Sequence, residues 1–281
     1  MNKIALNLQD EIADTLLITL YAKSVETRKQ DPLINDQTAC ELVEKIDYDF
    51  SKYKNKTASS VGVAIRSNHF DQKVKQFIQC HQNPIVVFVG CGLDTRLQRI
   101  GESAQQAQFY QLDLDEVIEQ RKKLLSPQEN EHLIASSMLT TTWMDQLKQD
   151  HPQGDFMFVI EGVLMYFNEA QNKQVLIGLA ERFSGAEVHF DMLNQWMSTK
   201  SSLHDTVSKT KATFKFGLDD DKAIEAWHPK LKYGQTYLFN QFKGWRRMGI
   251  ILTTLMSIIP QMKTSSRILM YRIKCISSDL I

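Results

Sequence analysis

The chain has 281 residues, with 33 Lys and Arg against 33 Asp and Glu, a formal net charge of zero. At 43% hydrophobic and 23% charged residues it has the make-up of an ordinary globular protein, long enough to bury a core without disulfides or metal. These figures exclude low-complexity disorder, and the lack of a basic excess argues against a general nucleic-acid binder.

The first 65 or so residues are expected to be helical. Leu8, Ile12, Leu16, Ile18 and Leu20 fall loosely on helical spacing, and a second helix after Asp31-Pro32 carries Leu42, Val43 and Ile46 on one face. The polar stretch SKYKNKTASS, residues 51–60, reads as a loop. Phe70, Val74, Phe77 and Ile78 then mark an amphipathic helix ending near Asn83-Pro84. At Ile85 the period changes. Ile85 to Val89 is an unbroken β-branched and aromatic run, the pattern of a strand buried on both faces. Further strands are predicted at 108–112, 132–135, 156–160 and 187–191, with helices between them over 117–124 and 171–183. This alternation implies an α/β fold with a mostly parallel sheet and helices on both faces, whose ligands sit outside the carboxyl ends of the strands. Residues 192–232 are irregular and read as a lid or insertion. Residues 237–240 and 267–274 are predicted as two closing strands.

Three segments carry the chemistry. Val86 to Arg96, VVFVGCGLDTR, runs from a buried strand through Gly90-Cys91-Gly92 toward a helix start, where free N–H groups are expected to meet a negatively charged group. The third glycine of a dinucleotide fingerprint is absent, because Thr95 stands in its place. Asp113 ends the second strand, about 20 residues on, where a carboxylate accepts hydrogen bonds from ribose hydroxyls; Asp115 is expected to cap the following helix. Glu161 follows a fully apolar strand and so lies at the ligand edge of the sheet. It can bind a cationic cofactor group, act as a base, or pair with a structural arginine such as Arg96 or Arg66.

These segments resemble the leucine carboxyl methyltransferase family, and within it the bacterial branch of tetracenomycin-type polyketide-synthesis O-methyltransferases. The similar stretches are LLITLYAKSVETRKQDPLINDQTACELV, GVAIRSNHFD, VVFVGCGLDTR, YQLDLDEVIEQRKKLL, IEGVLMYF, FKFGLDDDKAIEAWHP and RILMYRIK. The resemblance implies a Rossmann-like class I methyltransferase dependent on S-adenosyl-L-methionine (SAM) and releasing S-adenosyl-L-homocysteine. It implies one domain over residues 1–281: an N-terminal helical cap (1–65), a SAM-binding core (85–191), a lid or acceptor insertion (192–232) and closing strands (233–281). Arg66 would grip the cofactor's carboxylate, with Lys23 assisting. Gly90, Cys91 and Gly92 would lie against the methionine part, Asp113 with Leu114 at the ribose, and Glu161 at the amino group. Ser137, beside Met138, stands where the family usually carries an acid for the adenine amino group.

The expected reaction is methyl transfer to an oxygen, a carboxylate being favoured, of a small-molecule acceptor. A carboxylate is already ionised at neutral pH, whereas a phenol would need a base, for which His189, His204 and His228 are the regional candidates. Tyr166 is a candidate acceptor-site residue. Two other readings stay open, a non-catalytic SAM-binding or regulatory protein and an NAD(P)-dependent oxidoreductase. Cys40, Cys80, Cys91 and Cys275 form no CxxC pair, so no metal or disulfide framework is expected. The same cysteine pattern suits a reducing cytoplasm; the amino-terminal acids argue against a signal peptide, and the apolar run 249–260 is too short for a membrane span.

Overall fold

The computed structural model describes residues 3–7, 9–10, 15–201 and 206–275. Leu8, Ile12 and His204 lie outside them. Two helices come first, α1 (Leu16–Thr27) and α2 (Gln37–Lys45), followed by the long α3 (Thr57–Cys80). The α/β region runs β1 (Pro84–Val89), α4 (Arg96–Ile100), β2 (Gln108–Asp113), α5 (Asp115–Leu124), β3 (Glu131–Ala135), α6 (Thr142–Asp150), β4 (Asp155–Ile160), α7 (Glu169–Arg182) and β5 (Glu187–Leu193). Then come α8 (Gln195–Ser198), β6 (Leu231–Leu238), α9 (Ile250–Ile258), α10 (Pro260–Lys263) and β7 (Ser266–Ile273).

The strands form one sheet in the order β3-β2-β1-β4-β5-β7-β6. β1 to β5 are parallel, and β7 runs antiparallel between β5 and β6. The central strands read as expected from their composition. β1 is buried along its whole length, and β4 is buried from Phe156 to Ile160. One face of the sheet packs Phe158, Leu176, Leu179 and Phe183 together. The other packs Phe70, Val74, Phe77 and Ile78 of α3 against Val86, Phe88 and Phe109. Because the five parallel strands point one way, their carboxyl ends all open on one edge.

Several expectations are corrected. Residues 51–60 are not all loop, because α3 begins at Thr57; Val61, Ala64 and Ile65 are buried, and this packing extends the helix through a polar first turn. α3 also runs unbroken through residue 65, so the helical cap and the sheet share one helix. Asp115 does not cap α5. It is the first residue of that helix, and Leu114 at the cap makes no side-chain bond. The acid still sits in the first turn, where the helix dipole favours it. The first closing strand is β6, which starts at Leu231 rather than 237. Gly234 interrupts its pattern at a register shift between Tyr233 and Gln235, and a side chain there would strike Met270.

Buried ion pairs fasten the helical layer to the sheet. Arg99 of α4 donates to Asp71 of α3 at 2.8 and 2.9 Å, to Asp36 before α2 at 2.8 Å and to Asp94 at 2.7 Å. Asp36 also accepts from the buried Thr95 hydroxyl and caps α2 through the Ala39 N–H. Removing a buried cation leaves its carboxylates uncompensated. Arg99→Ala is therefore expected to lower unfolding stability by ~3–5 kcal/mol in urea denaturation, far beyond the effect of removing an exposed pair such as Arg28 with Glu44.

Candidate active site

A cavity of about 740 Å³ opens along the carboxyl edge of the sheet. The residues assigned above to the cofactor, together with Tyr166, line it: Lys23, Arg66, Gly90, Cys91, Gly92, Asp113, Leu114, Ser137, Met138, Glu161 and Tyr166. Lys23 and Arg66 come from the helical layer, and the rest from the end of β2 and the segments that follow β1, β2, β3 and β4.

The glycine loop follows β1. Gly90 and Gly92 have φ of +71° and +51°, conformations that an L side chain rarely adopts. The first turn of α4 receives no side-chain cap from Thr95, whereas most N–H groups of the glycine loop itself are already taken. Those of Gly90 and Cys91 donate to the Leu112 carbonyl at 2.8 and 3.1 Å. That of Gly92 donates to Asp113 Oδ2 at 2.7 Å, and those of Asp94 and Thr95 donate to the Cys91 carbonyl and Asp94 Oδ1. Buried Arg121 of α5 holds the loop from behind, donating to the Gly92 and Asp94 carbonyls while paired with Glu131 at 2.8 Å. The loop is a surface for close approach rather than an anion cradle. Thr95, where a third glycine would stand, is fully buried.

Asp113 accepts from the Gly92 and Leu114 N–H groups, at 2.7 and 2.8 Å, and has no cationic partner within ion-pair distance among the described residues. Burial pushes its carboxyl up to about 6, against the pull of those two amides. Such a carboxylate has lone pairs to offer and a reason to take further donors. Past β3, Ser137 Oγ accepts from the Leu139 N–H at 3.3 Å, which leaves its hydroxyl proton to donate.

The rest of the site is charged. Arg66 of α3 lies between two acids, donating through Nε to Glu161 at 3.1 Å and through Nη1 to Asp191 of β5 at 2.6 Å. Its Nη2 has no hydrogen-bond partner among the described residues and lies beside Gly162. Glu161 also accepts from Arg96 and from the Ser67 hydroxyl at 2.8 Å, so it pairs with both of the arginines suggested from sequence. Lys23 of α1 donates to Asp94 at 2.5 Å, and Arg96 reaches Asp94 at 3.2 Å and Asp71 at 2.7 Å. Burial raises Glu161, but Arg96 and Arg66 outweigh it and hold the group below the usual range. Asp94 lies well below that range for the same reason, with Arg96, Arg99 and Lys23 as its neighbours. Asp191 is raised by burial, in spite of Arg66 and the Gly162 N–H. The linked set of Lys23, Arg66, Arg96 and Arg99 with Asp36, Asp71, Asp94, Glu161 and Asp191 has one carboxylate in formal excess. Asp94, Asp191 and the full roles of Arg96 and Arg99 were not singled out from sequence; their partners are distant in the chain.

The far part of the cavity is apolar. Trp196, Met197, Val207 and Phe214 from the irregular segment line it, as do Met248, Leu252, Met256 and Met262 from the region of α9 and α10. Tyr166 stacks obliquely on Phe214 at 5.5 Å between ring centroids and hydrogen-bonds Thr15; burial pushes its hydroxyl up to about 12. Trp227 is elsewhere, packed near Phe216 against the sheet. His228 does not line the cavity. His189 is buried against Glu187 at 3.0 Å, and burial lowers its pKa.

A sheet of this order with such an edge defines a Rossmann-like class I methyltransferase. The sequence profile of the leucine carboxyl methyltransferases matches residues 16–180, and the chain belongs to that family and is a SAM-dependent methyltransferase. It is 28% identical over 269 residues to the tetracenomycin polyketide synthesis O-methyltransferase TcmP of Streptomyces glaucescens, covering 92% of this chain and 96% of that one. It is 24% identical over 240 residues to the S-adenosyl-L-methionine-dependent methyltransferase dpfgK of Gibberella zeae, covering 78% and 80%. Two solved structures share the fold. A DUF574 family protein from Streptomyces avermitilis gives a TM-score of 0.59 at 9% identity, over 93% of this chain and 97% of that one. A protein from Thermobifida fusca described as a methyltransferase gives 0.56 at 12% identity, over 90% and 94%.

Gly162 ties the charged set to the backbone. Its φ is +73°, its N–H donates to Asp191 at 2.6 Å, and an added Cβ would sit 3.1 Å from Arg66 Nη2. Gly162→Ala is expected to lower stability by ~1–2 kcal/mol through the left-handed backbone alone, read from urea unfolding.

Proposed function

We propose that the protein transfers a methyl group to an oxygen of a small-molecule acceptor, and that this oxygen belongs to a carboxylate. The observation that carries the reading is the missing base. Among the described residues no histidine lines the cavity, Glu161, Asp94 and Asp191 are all held by cations, and Asp113, which has no cationic partner, is taken up by the cofactor's ribose in this reading. Tyr166 keeps its proton at neutral pH. An acceptor that arrives ionised needs none of these groups to take a proton. The family name points to carboxyl methylation, and the Streptomyces relative is an O-methyltransferase.

The residues fit the cofactor. Asp113 offers acceptor positions to a ribose diol. Arg66 Nη2 offers a donor to the methionine carboxylate, with Lys23 close by on the other side of Asp94. Glu161 adds an acceptor for the amino group. The single carboxylate in excess suits a ligand that carries one net positive charge, as SAM does through its sulfonium. Ser137 and Met138 would flank the adenine, with the serine donating to a ring nitrogen in place of the family's acid. Leu114, Cys91 and the two loop glycines would supply close packing.

When bound, SAM supplies an activated methyl group for in-line displacement by the acceptor oxygen. This chain's part is alignment, which can contribute roughly 7–11 kcal/mol. The ion-paired floor fixes one reactant, and the apolar wall of Trp196, Phe214 and Met256 excludes water and seats the other.

Asp113→Ala is expected to weaken SAM binding by about tenfold or more in titration calorimetry, since a hydrogen bond to a charged group is worth ~1.5–3 kcal/mol. Arg66→Ala is expected to do the same. Retained affinity in either variant would remove that residue from the cofactor site. The affinity is also expected to depend on pH. Ribose hydroxyls favour the ionised form of Asp113, so binding is level above pH 7 and falls as the pH drops through about 6; Asp113→Asn should flatten the profile. The acceptor is tested by supplying labelled SAM with panels of carboxylic acids and of phenols. A carboxylate acceptor gives a methyl ester that releases methanol in mild alkali, whereas an alkali-stable aryl ether would overturn this half of the reading.

A further inference from the structure

Among the described residues, the large hydrophobic side chains that stand exposed are Trp196, Ile250, Ile251, Leu255, Ile258 and Ile259. They are gathered in one place. Five belong to α9 and its junction with α10, and the sixth is on α8. Asn194, at the start of α8, donates through its amide to the Gln261 carbonyl at 2.8 Å and to the Thr264 hydroxyl at 3.3 Å, so α8 and α10 are neighbours. Isolated exposed aliphatics are ordinary, but a cluster marks an interaction surface. Ile250, Ile251 and Ile258 are 84%, 79% and 72% exposed. The opposite side of the same segment supplies Leu252, Met256 and Met262 to the cavity wall. The apolar surface is thus the outside of the wall whose inside faces the apolar end of the cavity.

The charges indicate what covers it. From Phe239 to Cys275 there are seven basic residues and no acid. Arg247, Arg267 and Arg272 are paired with acids from elsewhere, Arg247 with Asp31 and Glu26. Lys243 and Arg246 before α9, and Lys263 in α10, are exposed and have no ionic partner within 4 Å among the described residues. Two copies of this face meeting about a two-fold axis would bring these like charges together. An anionic lipid surface would complement them, and aliphatic side chains flanked by cations, with a tryptophan at the rim, suit the headgroup region. No helix among the described residues is long and apolar enough to cross a membrane, so the contact would be with the interface.

We propose that α9, α10 and Trp196 form a docking surface for an anionic bilayer, with the isoleucines among the headgroups and Lys243, Arg246 and Lys263 against lipid phosphates. Docking sets the apolar wall of the cavity against the bilayer. Resting on the reading that this end of the cavity receives the acceptor, it makes the acceptor an amphiphile that partitions into membranes and carries a carboxylate.

The test is co-sedimentation of the full chain with vesicles of equimolar phosphatidylglycerol and phosphatidylcholine, and with phosphatidylcholine alone. The wild type should bind the anionic vesicles and be released by salt. Ile251→Glu with Ile258→Glu, and separately Lys243→Glu with Arg246→Glu, should each reduce the bound fraction about tenfold or more. SAM calorimetry on each variant verifies that it is folded, because none of these four side chains lines the cavity. No binding to anionic vesicles, equal binding to both vesicle types, or binding unchanged by the isoleucine substitutions overturns the proposal. So does a dimer in light scattering that the isoleucine substitutions dissociate. Sedimentation requires neither SAM nor acceptor, so a failure of the enzymatic reading would appear separately, in the calorimetry.

Discussion

The structure depends on a buried exchange of charge between its helical layer and its sheet. Arg66 and Asp71 on α3, Lys23 on α1 and Asp36 before α2 meet Asp94, Arg96 and Arg99 around the start of α4, Glu161 after β4 and Asp191 on β5. Charges taken out of water are costly unless each finds several partners in good geometry. Here most members have two or three. The arrangement leaves the helices little freedom to be placed otherwise, since a shift of one turn would strand several charges at once. A cavity wall built from the chain's first helices can therefore hold a fixed relation to strand ends contributed by residues far along the sequence.

That constraint also divides the cavity. Its floor, at the ends of β1, β2 and β4, is polar and rigid, with the loop N–H groups spent on Leu112 and Asp113. Its outer part is methionine and aromatic. Methionine adapts its shape at low cost, so the outer part can accept bodies of differing outline while the floor does not change.

Much of this was legible in the chain. Ile85 to Val89 and Phe156 to Ile160 could only be strands buried on both faces, and two such strands with helical spacing between them fix a parallel sheet. Asp113 and Glu161 were placed at its working edge by the strands they follow. What was not legible depended on distant partners. Nothing local to Asp191 or Asp94 announces Arg66 or Lys23, which lie 125 and 71 residues away. The glycine loop looked like a set of free donors because its acceptors sit on the next strand. β6 was missed at its start because Gly234 breaks the alternation at a bulge, and a bulge is defined only by the neighbour it is out of step with. The first turn of α3 was missed because Thr57 to Ser60 carries no apolar signal, and the packing that recruits it lies further along the same helix.

The placing of β7 has a consequence for how the protein is made. β6 touches the sheet only through β7, and β7 is hydrogen-bonded to β5 along seven residue pairs. On a ribosome, β1 to β5 emerge first and can pair in sequence, but β6 must then wait some 30 residues for the strand that joins it to them. Through that interval the edge of β5 is open, and edges of that kind invite pairing with other chains. The segment that bridges the interval is also the most apolar exposed part of the described chain. Synthesis therefore passes through a stage at which an unpaired strand and an uncovered greasy helix are presented together, and that stage is where the nascent protein would most need a chaperone.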